Sequence, residues 1–363
     1  MLRLFILLIL MVILPDSYLW WTYVAGWPVA GQACFLAMTF VVVMGLIMLP
    51  IDWFPHNFSV RMLFGSMLCL VLPKIVFILA DLLLPWPWAL AMAGLVLLCV
   101  GYGFVFGWFR LTVRQETFAF TDLPRAFDGY RILHFSDLHA GTFSRKPQFV
   151  RHLADTIQKQ QADMIVFTGD LINLQTDELL PFMADLSRLQ APDGVYSVLG
   201  NHDFTKADPE GIRLAKAEQL MGWQVLNDRH VVLSRGKENI ALIGVQNIGD
   251  GVFKTHGDLQ KAIGRLPADG FTILLTHTPT HWRSEVVPAT GIQLTLAGHT
   301  HGGQMRLGPI SPARYIYRYW AGSYRSADHR WLYVSQGLGG TLPFRFMAWP
   351  EVTVITLRHA DQP

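Results

Sequence analysis

Arg131-Ile-Leu-His-Phe-Ser-Asp-Leu-His139 is a short apolar run that ends abruptly in a carboxylate and an imidazole two residues apart. Residues 131–136 have the length and the aliphatic and aromatic content of a buried strand, so Asp137 and His139 fall on the turn beyond it. The same grammar recurs four times downstream. Met164–Phe167 runs into Thr168-Gly169-Asp170, and Val195–Leu199 into Gly200-Asn201-His202-Asp203. Phe271–Leu275 runs into Thr276-His277, and Ile292–Leu296 into Ala297-Gly298-His299-Thr300-His301. In open α/β sheets, ligands bind beyond the carboxyl ends of the strands. Five strands ending side by side would gather these groups into one cluster. The glycines at 169, 200 and 298 permit sharp turns and close backbone approach.

The intervening segments fit such a sheet. Gln148–Gln160 carries Phe149, Leu153 and Ile157 at helical spacing, Glu178–Leu189 reads as the next helix, and residues 207–221 as a third. Past residue 223 strands dominate: Gln224–Leu226, His230–Ser234, Ile240–Val245, Trp331–Ser335 and Val352–Leu357 join the two already named. Helix-linked strands followed by a strand-rich half predict an α/β fold, a two-sheet sandwich with helices outside. Gln115–Asp128 fits a linker or a leading strand, and residues 111–129 are read as the linker. Carboxylates with imidazoles suit Mn, Fe or Zn better than Mg or Ca alone. The three cysteines, Cys34, Cys69 and Cys99, all lie in apolar runs upstream, so thiolate ligands are excluded from this domain.

The series Asp-x-His, Gly-Asp, Gly-Asn-His-Asp, His and Gly-His-x-His resembles the calcineurin-like metallophosphoesterase superfamily, from about Tyr130 to Arg358. Gly298-His-Thr-His-Gly-Gly-Gln304, with Gly337–Gly340 through Pro350–Thr353, is most similar to its bacterial membrane-associated branch. The resemblance implies two divalent metal ions. Asp137, His139 and His301 would hold one; Asn201, His277 and His299 would hold the other; Asp170 would bridge them. His202 would be the catalytic histidine, contacting the phosphoryl group while a hydroxide bridging the metals attacks phosphorus. The second motif continues Leu171-Ile-Asn173, not Asp-Arg-Gly as in the protein Ser/Thr phosphatases. That departure argues against a protein phosphatase and leaves the partner of His202 open.

Upstream the composition changes. The chain is 52% hydrophobic and only 15% charged, and up to Arg110 the charged residues are Arg3, Asp16, Asp52, Arg61, Lys74, Asp81 and Arg110 alone. Of 29 basic and 27 acidic residues, four and three lie before position 111, so the remainder is close to neutral. It lacks the basic footprint of a nucleic-acid binder. Four apolar stretches, 4–26, 32–50, 62–84 and 88–109, approach the roughly 20 residues that span a bilayer as a helix. Trp20, Trp21, Trp27, Trp53, Trp86, Trp88 and Trp108 lie near their ends, as interfacial aromatics do. The first stretch is interrupted by Pro15 and Asp16; it is read as an uncleaved span, with a signal-peptide core over 4–14 as the alternative. With four spans, Arg3, Arg61, Arg110 and Arg114 share one side, which predicts a multi-pass inner-membrane protein with a cytoplasmic catalytic domain.

The sequence thus divides into a transmembrane helical region over 1–110, a linker over 111–129 and a metallophosphoesterase domain over 130–360. The implied substrate is a phosphoester, with a lipid-linked one such as UDP-2,3-diacylglucosamine as a candidate suggested by kinship and anchoring. The competing reading is a membrane transport or sensing protein whose phosphoesterase-like domain only binds a ligand. Its support is Lys74 and Asp81, which share a helical face within an apolar stretch; an ion pair or other polar partners would explain them without transport. His134 is read as a core histidine, and His152, His230, His256, His281, His329 and His359 as surface or packing residues. Asp203 is either a group that orients a ligand or the end of a turn; Arg306 and Arg345 offer phosphate-binding groups but are read by default as solvated. Arg314–Trp320, aromatic and basic by turns, fits either a membrane surface or packing on the domain.

Overall fold

The computed structural model describes residues 2–48, 58–249, 251, 253–267 and 270–361. It divides into two compact units, Met1–Phe106 and Gly107–Pro363.

The first unit is helical: α1 (Leu2–Thr22), α2 (Val29–Met48), α3 (Phe58–Ser66), α4 (Leu72–Asp81) and α5 (Trp86–Val105). A π-turn over Met67–Val71 joins α3 to α4 just before Pro73. Proline has no N–H to offer the carbonyl four residues back, and the widened turn absorbs that loss. Val29–Met48, Phe58–Asp81 and Trp86–Phe109 are long and apolar enough to cross a membrane. The expected span over 4–26 is also a helix, with Pro15 inside it, but its described apolar part, Leu8–Thr22, is shorter. Trp53 lies outside the described residues. Lys74 and Asp81 do not pair with each other. Lys74 Nζ lies 2.6 Å from Asp16 Oδ1, Thr39 donates to the same carboxylate, and Asp81 accepts from the Tyr23 hydroxyl. Lys74 and Asp81 thus each meet a polar partner from α1 or the turn after it, as polar groups in lipid require, and need no transport role to explain them.

The second unit holds two six-stranded sheets. The first contains β1 (Thr112–Phe120), β2 (Arg131–Phe135), β3 (Met164–Phe167), β4 (Val195–Ser197), β5 (Gln224–Val225) and β12 (Glu351–His359), in the order β1-β12-β2-β3-β4-β5. The second contains β6 (Arg229–Arg235), β7 (Glu238–Gly244), β8 (Phe271–Leu275), β9 (Leu294–Ala297), β10 (Gly322–Arg325) and β11 (Trp331–Val334), in the order β10-β11-β9-β8-β7-β6. Strands β2 to β5 run parallel, as do β7, β8, β9 and β11; β12, β6 and β10 run against their neighbours β2, β7 and β11.

Alternation along each strand builds the layers. Ile132, Met164 and Val166 face Ile273, Leu294 and Leu296 of the other sheet, forming the central core. Leu133, Phe135 and Phe167 point the other way, onto α6 (Pro147–Lys159), through Phe149, Leu153 and Ile157. The second sheet is covered outside by α9 (Leu259–Ile263) and by Trp282 and Val286, just before α10 (Val287–Ala289). This is the expected sandwich. Three local expectations change. Thr112–Phe120, inside the expected linker, is a nine-residue strand paired with β12. The helix expected over 178–189 is instead a 3₁₀ segment, Thr176–Phe182, followed by one turn of helix, α7 (Met183–Leu186), because Pro181 cannot donate within a regular helix. Helix α8 (Ile212–Leu220) starts late, since the Asp208 carboxylate accepts the N–H groups of Ile212, Arg213 and Leu214 and sets its first turn.

Candidate metal centre

Strands β2, β3 and β4 end in register, and β8 ends one residue short of its neighbour β9. The five motif loops therefore meet at one edge of the sandwich. Asp137, His139, Asp170 and His301 present one ligand atom each within 4.8 Å of one another, and Asp170, His277 and His299 form a second such group. Asp170 belongs to both. Its Oδ2 lies 3.5 Å from His139 Nε2 and 3.3 Å from His277 Nε2. Asn201 Oδ1 lies 3.1 Å from His277 Nε2 and 2.8 Å from His299 Nδ1, which joins the amide to the second group. All eight residues singled out in the sequence, His202 included, are thus brought together; the ring of His202 stands 4.8 Å from that of His139.

The backbone carries strain to achieve this. Asp137, His139, Asp170, His299 and His301 have φ of 53°, 48°, 59°, 73° and 54°. Left-handed backbone costs an L-residue roughly 1–2 kcal/mol, and such strain concentrates at functional sites. The glycines make the close approaches possible: a Cβ on Gly298 would stand 2.0 Å from Ser136 Oγ and 2.4 Å from Asp137 Oδ2.

A second layer of hydrogen bonds fixes the rings. Nδ1 of His139 faces Asn173 Oδ1 at 2.7 Å, and Nδ1 of His277 donates to the Thr168 carbonyl at 2.7 Å, so both rings turn Nε2 inward. The open question about His202 has its answer here: its Nδ1 is 3.0 Å from the Asn173 carbonyl oxygen, and its backbone N–H donates to Asp170 Oδ1. Asp203 is fully buried and accepts the N–H groups of Asp170, Leu171, Ile172 and Gly200, binding the loops after β3 and β4 together. It therefore does more than end a turn: it braces the backbone that presents Asp170. Arg345 is also buried, contrary to the solvated reading. It donates to the carbonyls of Gln336, Ala348 and Gly339, while Leu338 and Gly339 donate to Ser136 and Asp137 carbonyls. His134 is the expected core histidine, with Nε2 2.8 Å from Thr168 Oγ1. Asn173 did not stand out in the sequence, the departure at Leu171-Ile-Asn173 being its one signal, and Arg345 was noted there without its buried role.

Electrostatics divide the histidines. Burial pushes His139 and His301 down to about 3, so both imidazoles are neutral, the form that binds metal. Burial also opposes charge on His277, but Asp170 beside it raises it to about 9. Asp170, despite its own burial, is held well below the usual carboxylate range by His277 and His202. A cation fits these donors. The buried Nε2 of His139 and Nδ1 of His301 have no hydrogen-bond partner although carboxylates lie within reach, and the Asp170 carboxylate that favours positive charge on His277 would equally favour a cation there.

The sequence profile of the calcineurin-like phosphoesterases matches residues 130–303. An uncharacterised metallophosphoesterase of Bacillus subtilis is 33% identical over 260 residues, covering 68% of this chain and 85% of that protein. The chain belongs to the calcineurin-like metallophosphoesterases. It is a metal-dependent phosphoesterase, with apolar helices ahead of the catalytic unit. A transmembrane protein with a metallophosphoesterase domain from Danio rerio is 29% identical over 246 residues, covering 66% of this chain and 55% of that one. Among solved structures, a dimetal phosphatase from Danio rerio superposes with a TM-score of 0.41 at 14% identity, covering 60% of this chain and 90% of that one.

Proposed function

We propose that this metallophosphoesterase is a multi-pass membrane enzyme that hydrolyses a phosphoester or pyrophosphate bond at a dinuclear centre. The observation that carries the reading is the shared carboxylate: Asp170 Oδ2 lies within 3.5 Å of His139 and 3.3 Å of His277, one from each ligand group. Asp137, His139 and His301 would hold one ion, Asn201, His277 and His299 the other, with Asp170 shared between them. Manganese, iron or zinc suits the donors. When bound, two such ions supply an acidified water and offset charge on the phosphoryl oxygens. The chain's own groups do the rest. His202, tethered through Nδ1 to Asn173, keeps Nε2 for the phosphoryl group or the leaving oxygen. The rings of Phe253 and Tyr317, 5.8 and 5.6 Å from that of His299, wall the cleft with apolar surface and suit a leaving group that is not purely ionic.

The apolar helices and this aromatic wall favour a membrane-borne substrate, a lipid-linked pyrophosphate such as UDP-2,3-diacylglucosamine being one. With α1 counted as a fourth span, the arginines at 3, 61, 110 and 114 fall on one side and favour an inner-membrane protein with residues 1–110 embedded and the catalytic domain in the cytoplasm. β1 belongs to that domain. Hydrolysis of a generic phosphodiester by the detergent-solubilised full chain with Mn²⁺, compared with Asp170→Asn, tests the enzyme reading. Equal activity in both proteins would defeat it. A panel that includes lipid-linked pyrophosphates then identifies the substrate.

A further inference from the structure

From Val286 to Ala327 the chain has four arginines, at 306, 314, 318 and 325, and no aspartate or glutamate. This run contains the last histidine pair. Just past His301 the backbone turns through three left-handed residues, Gly302, Gly303 and Gln304, and enters a segment that exposes large apolar side chains. Leu307 and Ile310, bridged across a tight turn, are 67% and 54% exposed; Tyr315 and Ile316, on α11 (Ala313–Ile316), are 82% and 74% exposed. Isolated exposed apolar residues are ordinary, but here four large ones fall within ten residues, two of them bridged across one turn and two adjacent on α11. The base of the segment is anchored. Ser311 Oγ donates to the Gly302 carbonyl, Ala313 is buried, and the Tyr317 ring meets the His299 ring edge-on at 5.6 Å. A fixed platform, continuous with the catalytic loop, thus presents apolar tips beside Arg314 and Arg318. Neither arginine has a carboxylate partner among the described residues; each lies over a neighbouring tyrosine ring.

We propose that residues 307–318 dock on an anionic lipid bilayer, with Leu307, Ile310, Tyr315 and Ile316 entering the headgroup layer and Arg314 and Arg318 meeting lipid phosphates. Aromatic and arginine side chains together settle at that depth, and basic residues near a surface favour anionic lipid. The charge argues for a bilayer as the occupant: the segment is wholly basic, and the chain carries helices long enough to keep a membrane at hand. The proposal adds to the enzymatic reading and does not depend on it. Docking there brings the His299 side of the cleft to headgroup level.

The test uses the full chain with Cys34, Cys69 and Cys99 replaced by alanine. A single environment-sensitive label is placed through Ile316→Cys, Tyr315→Cys or, as control, Lys237→Cys on the exposed β6–β7 turn. Each protein is reconstituted into phosphatidylcholine vesicles with and without phosphatidylglycerol. The labels at 315 and 316 are expected to shift to the blue and to be quenched severalfold more by spin-labelled lipid than the control. The difference grows with phosphatidylglycerol and shrinks in Arg314→Gln/Arg318→Gln. The proposal is overturned if 315 and 316 match the control in both vesicles. Protection that follows protein density and ignores lipid charge also overturns it, because it identifies a protein partner. No readout requires hydrolysis, so failure of the enzymatic reading would leave this result interpretable.

Discussion

Asn173→Ala tests whether the site depends on its supporting hydrogen bonds. Asn173 is buried and holds His139 through Oδ1 at 2.7 Å, while Nδ2 donates to Thr142 Oγ1 at 3.1 Å. Removing the side chain leaves a buried imidazole N–H with no acceptor, which costs about 1–3 kcal/mol, and frees the ring to rotate. Loss of a group that orients a metal-bound histidine lowers metal affinity about 10–100-fold. The tether of His202 runs through the backbone carbonyl of residue 173 and survives the change. The variant should therefore show an activity deficit that excess metal repairs, with kcat recovering at saturation. Asn173→Asp keeps the acceptor and should retain most of the affinity. The assay is activity against free Mn²⁺, paired with calorimetric metal titration of the same proteins. An alanine variant that binds metal as tightly as the native chain refutes the reasoning. So would a deficit that saturating metal leaves untouched.

Gly298→Ala should lower kcat/KM by about 100-fold or more with the fold intact by circular dichroism, since its Cβ would displace the Asp137 carboxylate, and a shift of about 1 Å at a reacting centre has that effect. Glu218 is buried against Ser197, and burial, with Asp203 nearby, raises its carboxyl well above the ordinary range. A raised folded-state value means that its contribution to stability is present at pH below about 4 and is lost as pH climbs toward the folded value. Glu218→Gln should accordingly melt higher than the native chain near neutral pH, with the gap closing at acid pH in thermal scans. Lys74→Met strips Asp16 of its cation inside the apolar unit, a break of the kind that costs about 3–5 kcal/mol. Asp16→Asn/Lys74→Met should recover much of the melting temperature in detergent, while the single variant does not.

The sequence made five strand ends visible because each apolar run stops at residues that cannot be buried unpaired, and the sandwich followed from their order. Other parts were legible only in three dimensions. Strand β10 alternates half-buried and exposed residues at a sheet edge and carries no apolar run to mark it. Asn173 acts on His139 from 34 positions away, and Arg345 gathers carbonyls from separate loops, contacts that no local pattern encodes. The left-handed backbone at Asp137, His139, Asp170, His299 and His301 runs against the intrinsic preference of L-residues, so propensity reasoning points away from it. Lys74 and Asp81 shared a predicted helical face, yet each finds its partner on α1 or in the turn after it.

Anomalous X-ray scattering from manganese-soaked crystals of the full chain tests the central claim most directly. The account predicts two peaks flanking Asp170 Oδ2, one among Asp137, His139 and His301 and one among Asn201, His277 and His299. A single peak, or two that do not share the Asp170 carboxylate, would contradict it.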